Sequence, residues 1–278
     1  MHATRSASAF WTVWGSIIAA WALFPVLWML SLSFKSPVSF REGEPSFMPD
    51  EWSFANYQTV FADPLFIAAL RNSFGVAITA TALALVVATF GAYAIARLHF
   101  PGKKLLLSMA LAIAMFPQAA LVGPLFDMWR LIGIYDTWIG LVIPYLTFAL
   151  PLSIWTLSAF FRELPWELEQ AAQVDGATPW QAFSKVIVPL AGPGVFTTAI
   201  LTFFFCWNEF LFAAALTSTD RARTVPAALS FFTGQSQFQS PVTAIMAASV
   251  VVTIPVLVIV LVFQRRIVEG LTAGAVKG

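Results

Sequence analysis

Side chains that could carry covalent chemistry are scarce in this chain. Its 278 residues include two histidines, His2 and His99, and one cysteine, Cys206. Zinc hydrolases need ligand sets such as H-E-x-x-H, and serine hydrolases need a base beside the nucleophile. Two histidines at segment edges and a lone cysteine supply neither arrangement, and Asp127 and Asp136 bracket a loop rather than form a pair. We therefore expect no catalytic residue and no metal site.

Nucleotide chemistry is also missing from the sequence. A phosphate-binding loop follows the pattern G-x-x-x-x-G-K-[ST], in which backbone N–H groups cradle the phosphates. No segment matches it, and residues 102–104 (Gly-Lys-Lys) lack both the preceding glycine and the following hydroxyl. The chain also has no basic run of the kind that binds nucleic acid. An enzyme and a nucleic-acid-binding protein are both disfavoured.

The composition is that of an integral membrane protein. Hydrophobic residues make up 59% of the chain and charged residues 10%, and the mean hydropathy is +0.80. Soluble domains carry roughly 25% charged residues, so this chain lacks the charge to cover a water-facing surface. We predict an all-α, polytopic membrane protein.

Six apolar windows are long enough for helices that cross a hydrocarbon core about 30 Å thick. The predicted spans are residues 10–34, 71–97, 104–126, 136–161, 193–217 and 241–264. The third and fourth spans contain Pro117, Pro124, Pro144 and Pro151, which indicate broken or kinked helices. The first window could instead be a signal peptide, but its apolar run exceeds the roughly 7–15 residues of a cleavable one. We interpret it as a retained helix.

The orientation follows from Lys and Arg, which are enriched in cytoplasmic loops. Six spans put both termini on one side of the membrane. With cytoplasmic termini, nine of the 15 cationic residues face inward and six face outward. The compact basic hairpin 97–104 then lies inside, and the longer loop 35–70 forms an outer cap. The charge bias therefore predicts a multi-pass protein with cytoplasmic N- and C-termini.

Polar groups at membrane depth are candidates for a solute pathway. Asn208 and Glu209 interrupt the fifth span, and other candidates are Gln118, Tyr145 and Thr202. Each could line a pathway or make only an interhelical hydrogen bond, and Glu209 could pair with a partner chain. Because no Lys or Arg is predicted deep within a span, a neutral solute is favoured over a phosphorylated one. Aromatic walls with a few polar groups suit a sugar.

A polar segment, residues 162–189, separates the fourth and fifth spans. Pro165 and the acidic residues near it suit the first turn of a helix, and Gly176 suits its C-terminal end. Thr178 and Pro179 then suit the start of a second helix. A passive loop on the bilayer is the alternative, but an acidic face would be repelled by anionic lipid. We predict two short helices around an elbow that docks on a protein.

Three motifs resemble those of permease subunits of ATP-binding-cassette importers. The first resembles their "EAA" loop and consists of Gln170, Ala171, Ala172, Asp175, Gly176 and Ala177, followed by residues 186–189. The second is residues 207–210 (Trp-Asn-Glu-Phe) in the fifth span, and the third is the C-terminal run 264–278. Residues 175–183 and the C-terminal run are similar to the carbohydrate-uptake branch, with maltose- and trehalose-type importers. The likeness covers the whole chain, with the motifs in the same order.

This resemblance implies a type I importer permease fold, with one transmembrane domain over residues 1–278, in the bacterial cytoplasmic membrane. Two permease chains, expected to form a heterodimer, would share one pore. Two ATPase subunits would dock below it and hold ATP and Mg, so this chain would hold no cofactor. An extracytoplasmic sugar-binding protein or lipoprotein would deliver a disaccharide such as trehalose or maltose. Membrane lipid would surround the pore, and no nucleic acid would be involved.

The resemblance also implies roles for particular residues. Coupling to the ATPase is expected of Glu169, Gln170, Ala171, Ala172, Asp175, Gly176, Ala177 and Pro179. The tail, residues 265–278, is expected to contact the ATPase subunits through Gly270, Thr272, Gly274 and Lys277. The loop that would reach the binding protein includes Gly234, Gln235, Ser236 and Gln237. Fraying of the tail and a plain connector in place of the loop remain the alternatives.

One departure from the family pattern concerns charge. The motif glutamate that precedes the two alanines is Gln170 here, and Glu169 comes before it. A contact with the ATPase is therefore either shifted to Glu169 or replaced by a hydrogen bond from Gln170.

Other functions remain to be weighed against a sugar permease. They are a permease for another neutral solute, a stand-alone carrier or channel, and an intramembrane enzyme. A carrier would not need the docking segment, and an enzyme would lack its catalytic groups. Co-purification of an ATPase would separate the permease from the carrier.

Overall fold

Helices account for every regular element in the part of the chain that the structure describes. The computed structural model describes residues 3–36, 40, 46–49, 51–232 and 242–273, with the backbone alone for 3–9 and 265–273. The helices are α1 (Ala3–Ser33), α2 (Ala55–Ala62), α3 (Pro64–Arg97), α4 (Lys103–Ala114), α5 (Gln118–Ile132), α6 (Trp138–Glu163), α7 (Glu167–Val174), α8 (Pro179–Leu190), α9 (Gly192–Trp207), α10 (Leu211–Leu216), α11 (Val225–Ser230) and α12 (Val242–Ala273). Within α8, residues 183–187 form a π-helical turn.

Four of these helices are long and apolar enough to cross a membrane. They are Phe10–Ser33 of α1, α3, α6 and Val242–Gln264 of α12. Two helix pairs meet the same test but are bent at a short break, α4 with α5 by 84° and α8 with α9 by 68°. The described residues thus offer four spans, or up to six if each bent pair counts as one.

The third predicted span, 104–126, is not one helix. Helix α4 ends at Ala114 and α5 begins at Gln118, and Pro117 between them is in an extended conformation. Proline disfavours the helical conformation in the residue before it, which explains the break. The fourth span behaves differently, because α6 runs unbroken past Pro144 and Pro151. Prolines therefore interrupt the third span and not the fourth.

The fifth predicted span, 193–217, is also interrupted. Helix α9 has 16 residues and ends at Trp207, and α10 begins at Leu211. At about 1.5 Å per residue, α9 is about 24 Å long, which is short of the hydrocarbon core. The expected single helix is replaced by two with a break at 208–210.

Other helix ends differ from the predicted bounds by several residues. Helix α3 begins at Pro64, within the predicted outer loop 35–70, which also contains α2. Helix α12 continues to Ala273, so the predicted tail 265–278 begins as helix.

The chain forms two compact units, and the prediction of one transmembrane domain stays a prediction. The first unit comprises Met1–Ile67 and Leu229–Pro255. Its centre holds Asn56, whose amide donates to the carbonyls of Ser33 (2.9 Å) and Lys35 (2.7 Å) and accepts from Thr243 (2.9 Å). Buried amides need such partners, so Asn56 ties α2 to the end of α1 and to α12.

The second unit comprises Ala68–Ala228 and Val256–Gly278. Helices α6 and α9 pack closely in it, because Gly194 leaves room for the ring of Phe160. The Oγ of Ser153 and the Oγ1 of Thr202 join the same two helices at 2.9 Å. Asp136, at φ 57°, accepts hydrogen bonds from the backbone N–H groups of Ser218 and Thr219. These contacts fix the region that carries the candidate site.

Candidate functional site

The elbow of the polar segment is built from backbone hydrogen bonds. After α7, Gly176 adopts φ +88°, a left-handed conformation that glycine takes without strain. Its N–H donates to the carbonyl of Gln173 (3.1 Å), and the N–H of Ala177 donates to that of Ala172 (2.9 Å). This pair of bonds is the Schellman arrangement, which satisfies carbonyls at a helix end. The predicted helix end at Gly176 is confirmed.

The second helix of the segment starts with a capping box. The Oγ1 of Thr178 accepts from the N–H of Gln181 (3.2 Å), and the Oε1 of Gln181 accepts from the N–H of Thr178 (2.8 Å). Pro179 occupies the first turn, where its missing N–H is harmless. The predicted cap at Thr178 is confirmed, and the two caps hold the elbow in one shape.

The inner face of α8 is buried against the spans. Phe183 and Ile187 point inward, and Ile187 belongs to an apolar core. The other buried members of this core are Ala88, Ala92, Leu157, Phe161 and Ala191. Small residues on α3 let the segment approach closely, so the elbow is anchored to α3 and α6.

Glu169 does not face outward, although the sequence suggested it for a contact with the ATPase. Its side chain is 6% exposed, and its Oε1 accepts a hydrogen bond of 2.5 Å from the hydroxyl of Tyr93 on α3. A buried carboxylate needs such a donor, because losing water is costly for a charge. In this structure the Glu169 carboxylate is bound by Tyr93, and its contact with an ATPase stays a prediction.

Arg97 provides a second bond between α3 and the polar segment. Its Nη2 donates to the carbonyl of Leu164 (2.6 Å), and its guanidinium lies 4.9 Å from the ring centroid of Trp166. The Arg97 side chain is buried. With Phe90, which stacks on Trp180, these contacts run along one face of the last turns of α3.

The outer face of the segment is open to solvent. Gln170, Ala171, Asp175, Gly176 and Pro179 are exposed, and Ala172 and Ala177 are half-buried. Two large apolar side chains lie among them: Val174 is 87% exposed and Trp180 is 61% exposed. Exposed apolar side chains on this polar segment make its outer face a candidate surface for binding a protein. Of the predicted coupling residues, only Glu169 is buried.

Glu209 lies at the break between α9 and α10 and is 7% exposed. Its Oε1 accepts from the N–H of Phe212 (2.9 Å) and its Oε2 from the N–H of Ala213 (3.2 Å). A carboxylate at a helix N-terminus satisfies free N–H groups and favours the helix dipole. Glu209 thus caps α10, and its place on a solute pathway stays a prediction.

The other pathway candidates divide by exposure. Tyr145 is fully buried beside Glu209, and Thr202 is fully buried in its bond with Ser153. Gln118 is half-buried in the first turn of α5, and Asn208 is exposed at the end of α9. For Thr202, the interhelical alternative is the one observed. Of these four candidates, only Gln118 and Asn208 keep exposed surface in this chain.

Two further predictions concern residues that the structure does not describe fully. The loop residues Gly234, Gln235, Ser236 and Gln237, and the tail residues Gly274 and Lys277, lie outside the described residues. Gly270 and Thr272 lie in α12, of which only the backbone is described there. Their contacts remain predictions.

Sequence reasoning missed several residues that build the site. Gln181 had a recognisable signal, because Thr-x-x-Gln before an apolar stripe matches the capping-box pattern. Tyr93 and Arg97 had none, since their partners lie 76 and 67 residues away in the chain.

Comparison with known families identifies a transport component. Residues 88–272 match the sequence model of the family described as "Binding-protein-dependent transport system inner membrane component". This match covers α4 to α11, including the whole elbow, together with the last turns of α3 and nearly all of α12.

Curated relatives and a solved structure are similar over nearly the full length. The chain is 54% identical over 271 residues to the trehalose transport system permease protein SugB of Mycobacterium tuberculosis, with 98% of each chain covered. It is 40% identical over 264 residues to the trehalose/maltose transport system permease protein MalG of Thermococcus litoralis, with 94% of each covered. A chain of a bacterial ABC transporter involved in the import of the acidic polysaccharide alginate has a similar structure. Its TM-score is 0.79 at 25% identity, with 95% of this chain and 98% of that chain covered.

Proposed function

The chain belongs to the family of binding-protein-dependent transport system inner membrane components, and from this premise we propose that its cargo is a disaccharide, with trehalose as the first candidate. It is a multi-pass permease subunit of an ATP-binding-cassette importer of the sugar-uptake kind. Its similarity to a trehalose permease over 98% of both chains supports the choice of trehalose. Maltose is the second candidate, since a relative at 40% identity is named for both sugars.

The proposed partners follow from the exposed elbow. A cytoplasmic ATPase subunit would receive Val174 and the backbone around Gly176 in a groove, and ATP and Mg would be bound on the ATPase alone. A second permease chain would complete the pore, and a second ATPase subunit would complete the motor. A sugar-binding protein or lipoprotein would deliver the cargo from outside. This chain would perform no covalent chemistry.

The elbow is the single observation that carries the proposed mechanism. Two caps fix its backbone, its inner face is anchored on α3 and α6, and its outer face exposes apolar side chains. A rigid, solvent-facing turn suits a part that is pushed and pulled by another protein, because a flexible loop would absorb the movement. A stand-alone carrier has no use for such a turn.

The proposed orientation puts this elbow and both termini in the cytoplasm. The basic residues near the Arg97 end of α3 support it, since Lys and Arg favour cytoplasmic loops. On this proposal, the loop 217–225 faces outward.

The decisive experiment is reconstitution in vesicles of the complete complex with its binding protein. We expect uptake of labelled trehalose only when ATP and both ATPase subunits are present. The matched control is the same permease pair without the ATPase. Trehalose uptake by this chain without ATP would overturn the proposal in favour of a carrier.

The substrate is tested in the same preparation by stimulation of ATP hydrolysis. The binding protein is loaded with trehalose, with maltose, or with diacetylchitobiose as a neutral disaccharide of different shape. We expect trehalose to stimulate most. Stimulation by another sugar with none by trehalose would replace trehalose as the cargo and leave the permease function in place.

A further inference from the structure

Helix α3 is held firmly at its Arg97 end by the polar segment. The hydroxyl of Tyr93 donates to Glu169 on α7, and Arg97 donates to the carbonyl of Leu164 just before α7. The Tyr93 ring also lies 4.6 Å from the ring of Phe183 on α8. Both halves of the elbow therefore contact the same two turns of α3.

The bonds at this end cannot open without a penalty. The Oε2 of Glu169 and the Nε of Arg97 are buried with no hydrogen-bond partner among the described residues. Among the described residues, Glu169 therefore has the hydrogen bond from Tyr93, and Arg97 has the hydrogen bond to Leu164 beside its contact with the Trp166 ring. Separating α3 from the elbow would leave buried polar groups unpaired, which is strongly unfavourable. The contacts favour joint movement of α3 and the elbow.

The opposite end of α3 is held in a similar way by the loop 217–225. The amide of Asn72 donates to the carbonyls of Asp220 (2.8 Å) and Arg223 (3.0 Å). The Oγ of Ser73 accepts from the N–H of Val225 (2.8 Å). Asn72 and Ser73 are both almost fully buried. The loop is therefore fastened to α3 through its backbone and follows α3 when it moves.

Trp138, the first residue of α6, also contacts this end of α3. The Nε1 of Trp138 donates to the Oδ1 of Asn72 (3.0 Å), and its indole ring lies over Gly75 so closely that a Cβ there would meet it at 2.1 Å. Glycine at this position is thus required for the contact. Asn72 uses both its donor and its acceptor, so the loop, α3 and the start of α6 form one rigid junction.

We propose that α3 is the strut that carries movement between the cytoplasmic elbow and the outer loop 217–225. The proposal rests on the proposed function, and it adds Tyr93, Arg97, Asn72 and Ser73 as positioning residues. The stretch of this helix from Asn72 to Arg97 has 26 residues and is therefore about 39 Å long, enough to cross the hydrocarbon core of a membrane. The movement that a loaded binding protein causes in the outer loop is then transmitted to the ATPase through α3.

The test removes one hydroxyl from each end of the strut. Tyr93→Phe keeps the ring and loses the bond to Glu169, and Ser73→Ala loses the acceptor for Val225. The matched control is Tyr57→Phe, because Tyr57 is also a half-buried tyrosine and its hydroxyl bonds Ser33 at 2.8 Å in the other unit. Each variant is purified as the complete complex through a tag on the ATPase.

The readout is the ratio of ATPase activity with trehalose-loaded binding protein to activity without it. We expect the ratio to fall about three- to tenfold in Tyr93→Phe and Ser73→Ala, the factor associated with losing one hydrogen bond. Tyr57→Phe should keep the wild-type ratio. A purely structural role would lower the yield of complex and leave the ratio unchanged.

A ratio in either strut variant equal to that of Tyr57→Phe overturns the proposal. If Tyr93→Phe does not assemble, Arg97→Lys is measured instead, because it removes the guanidinium contacts and keeps the charge. A wild-type ratio in Arg97→Lys would also overturn the proposal. A wild-type complex that shows no stimulation by any loaded binding protein would count against the proposed function, which is a different outcome.

Discussion

At the scale of single residues, the elbow depends on the backbone of Gly176. Its φ of +88° is a conformation that residues with a Cβ rarely adopt, and beyond its two chain neighbours no heavy atom lies within 4 Å of where a Cβ would stand. A substitution there changes the backbone and the exposed surface of the elbow without disturbing the core. Gly102, in the hairpin after α3, has φ +82° and equally open surroundings. It is a matched position outside the elbow.

We expect Gly176→Val to abolish uptake and to weaken co-purification of the ATPase. The left-handed backbone costs about 1–2 kcal/mol for a residue with a Cβ, and a branched side chain also blocks the surface. Amounts of the chain in the membrane should stay normal by immunoblot. Gly102→Val carries the same strain and should transport normally. Normal uptake by Gly176→Val, or equal loss in Gly102→Val, would contradict a docking role for the elbow.

Glu209 and Asn208 are neighbours in sequence with opposite environments. Glu209 is buried and satisfies two N–H groups of α10, whereas Asn208 is exposed and its amide donates to the carbonyl of Phe204 (2.8 Å). A buried cap contributes to stability, and an exposed end group contributes little.

We expect Glu209→Ala to lower the melting temperature of the purified complex. Leaving buried N–H groups unpaired costs about 1–3 kcal/mol. Glu209→Gln keeps one acceptor oxygen, so its melting temperature should lie between those of the wild type and Glu209→Ala. Asn208→Ala should have the melting temperature of the wild type. The measurement is a thermal melt in detergent. Equal melting of Glu209→Ala and Asn208→Ala would show that the carboxylate is not a cap.

At the scale of elements, the spans differ in how they are joined. Helix α3 is fastened at both ends by polar groups, and α6 and α9 meet through a glycine and a hydroxyl pair. The third and fifth spans are instead broken, at Pro117 and at residues 208–210. Close helix contacts between small residues are the usual means of association in membranes, because lipid gives no hydrophobic drive between helices.

The glycines at the start of α9 test this contact. A Cβ at Gly194 would lie 2.4 Å from the ring of Phe160, whereas a Cβ at Gly192 would meet nothing within 4 Å. We expect Gly194→Ala to destabilise the complex by about 1–3 kcal/mol, as overpacking does. Gly192→Ala should be neutral. The comparison is the melting temperature of the two variants, and equal values would mean that α6 and α9 are not packed as observed.

At the scale of the whole molecule, the sidedness of the membrane decides which surface meets which partner. If the elbow is cytoplasmic, Lys104 in the basic hairpin is cytoplasmic too, and Arg221 in the loop 217–225 is outside. The chain has a single cysteine, Cys206, and it is buried. Replacing it with alanine therefore gives a background in which this chain has no thiol, and labelling is read on this chain alone.

We expect a membrane-impermeant maleimide to label Arg221→Cys in intact cells in that background. Lys104→Cys should react only after the membrane is opened, because the positive-inside rule puts the basic hairpin in the cytoplasm. Both positions are exposed, so access to the reagent differs only by membrane side. Labelling of Lys104→Cys from outside, with none at Arg221→Cys, would invert the orientation and with it the role of the elbow.

Local features of this protein could be determined from its sequence. Charge-free windows give the positions of the spans, because crossing a hydrocarbon core requires about 20 apolar residues. The caps at Gly176 and Thr178 also follow from the sequence, since a helix end is decided by residues within one turn. The motifs around the elbow predict the family that the comparisons confirm.

Only the tertiary structure decides which polar groups meet. Glu169 lies in a motif that predicts contact with the ATPase, yet its side chain is buried against Tyr93, which is 76 residues away in the chain. Glu209 is predicted as a pathway residue because it is ionisable and lies within an apolar span, and in the structure it caps α10. The reason is physical: spans that are apolar on every side carry little periodicity to say which face turns inward. The partners of their few polar groups are set by the packing of helices distant in the chain.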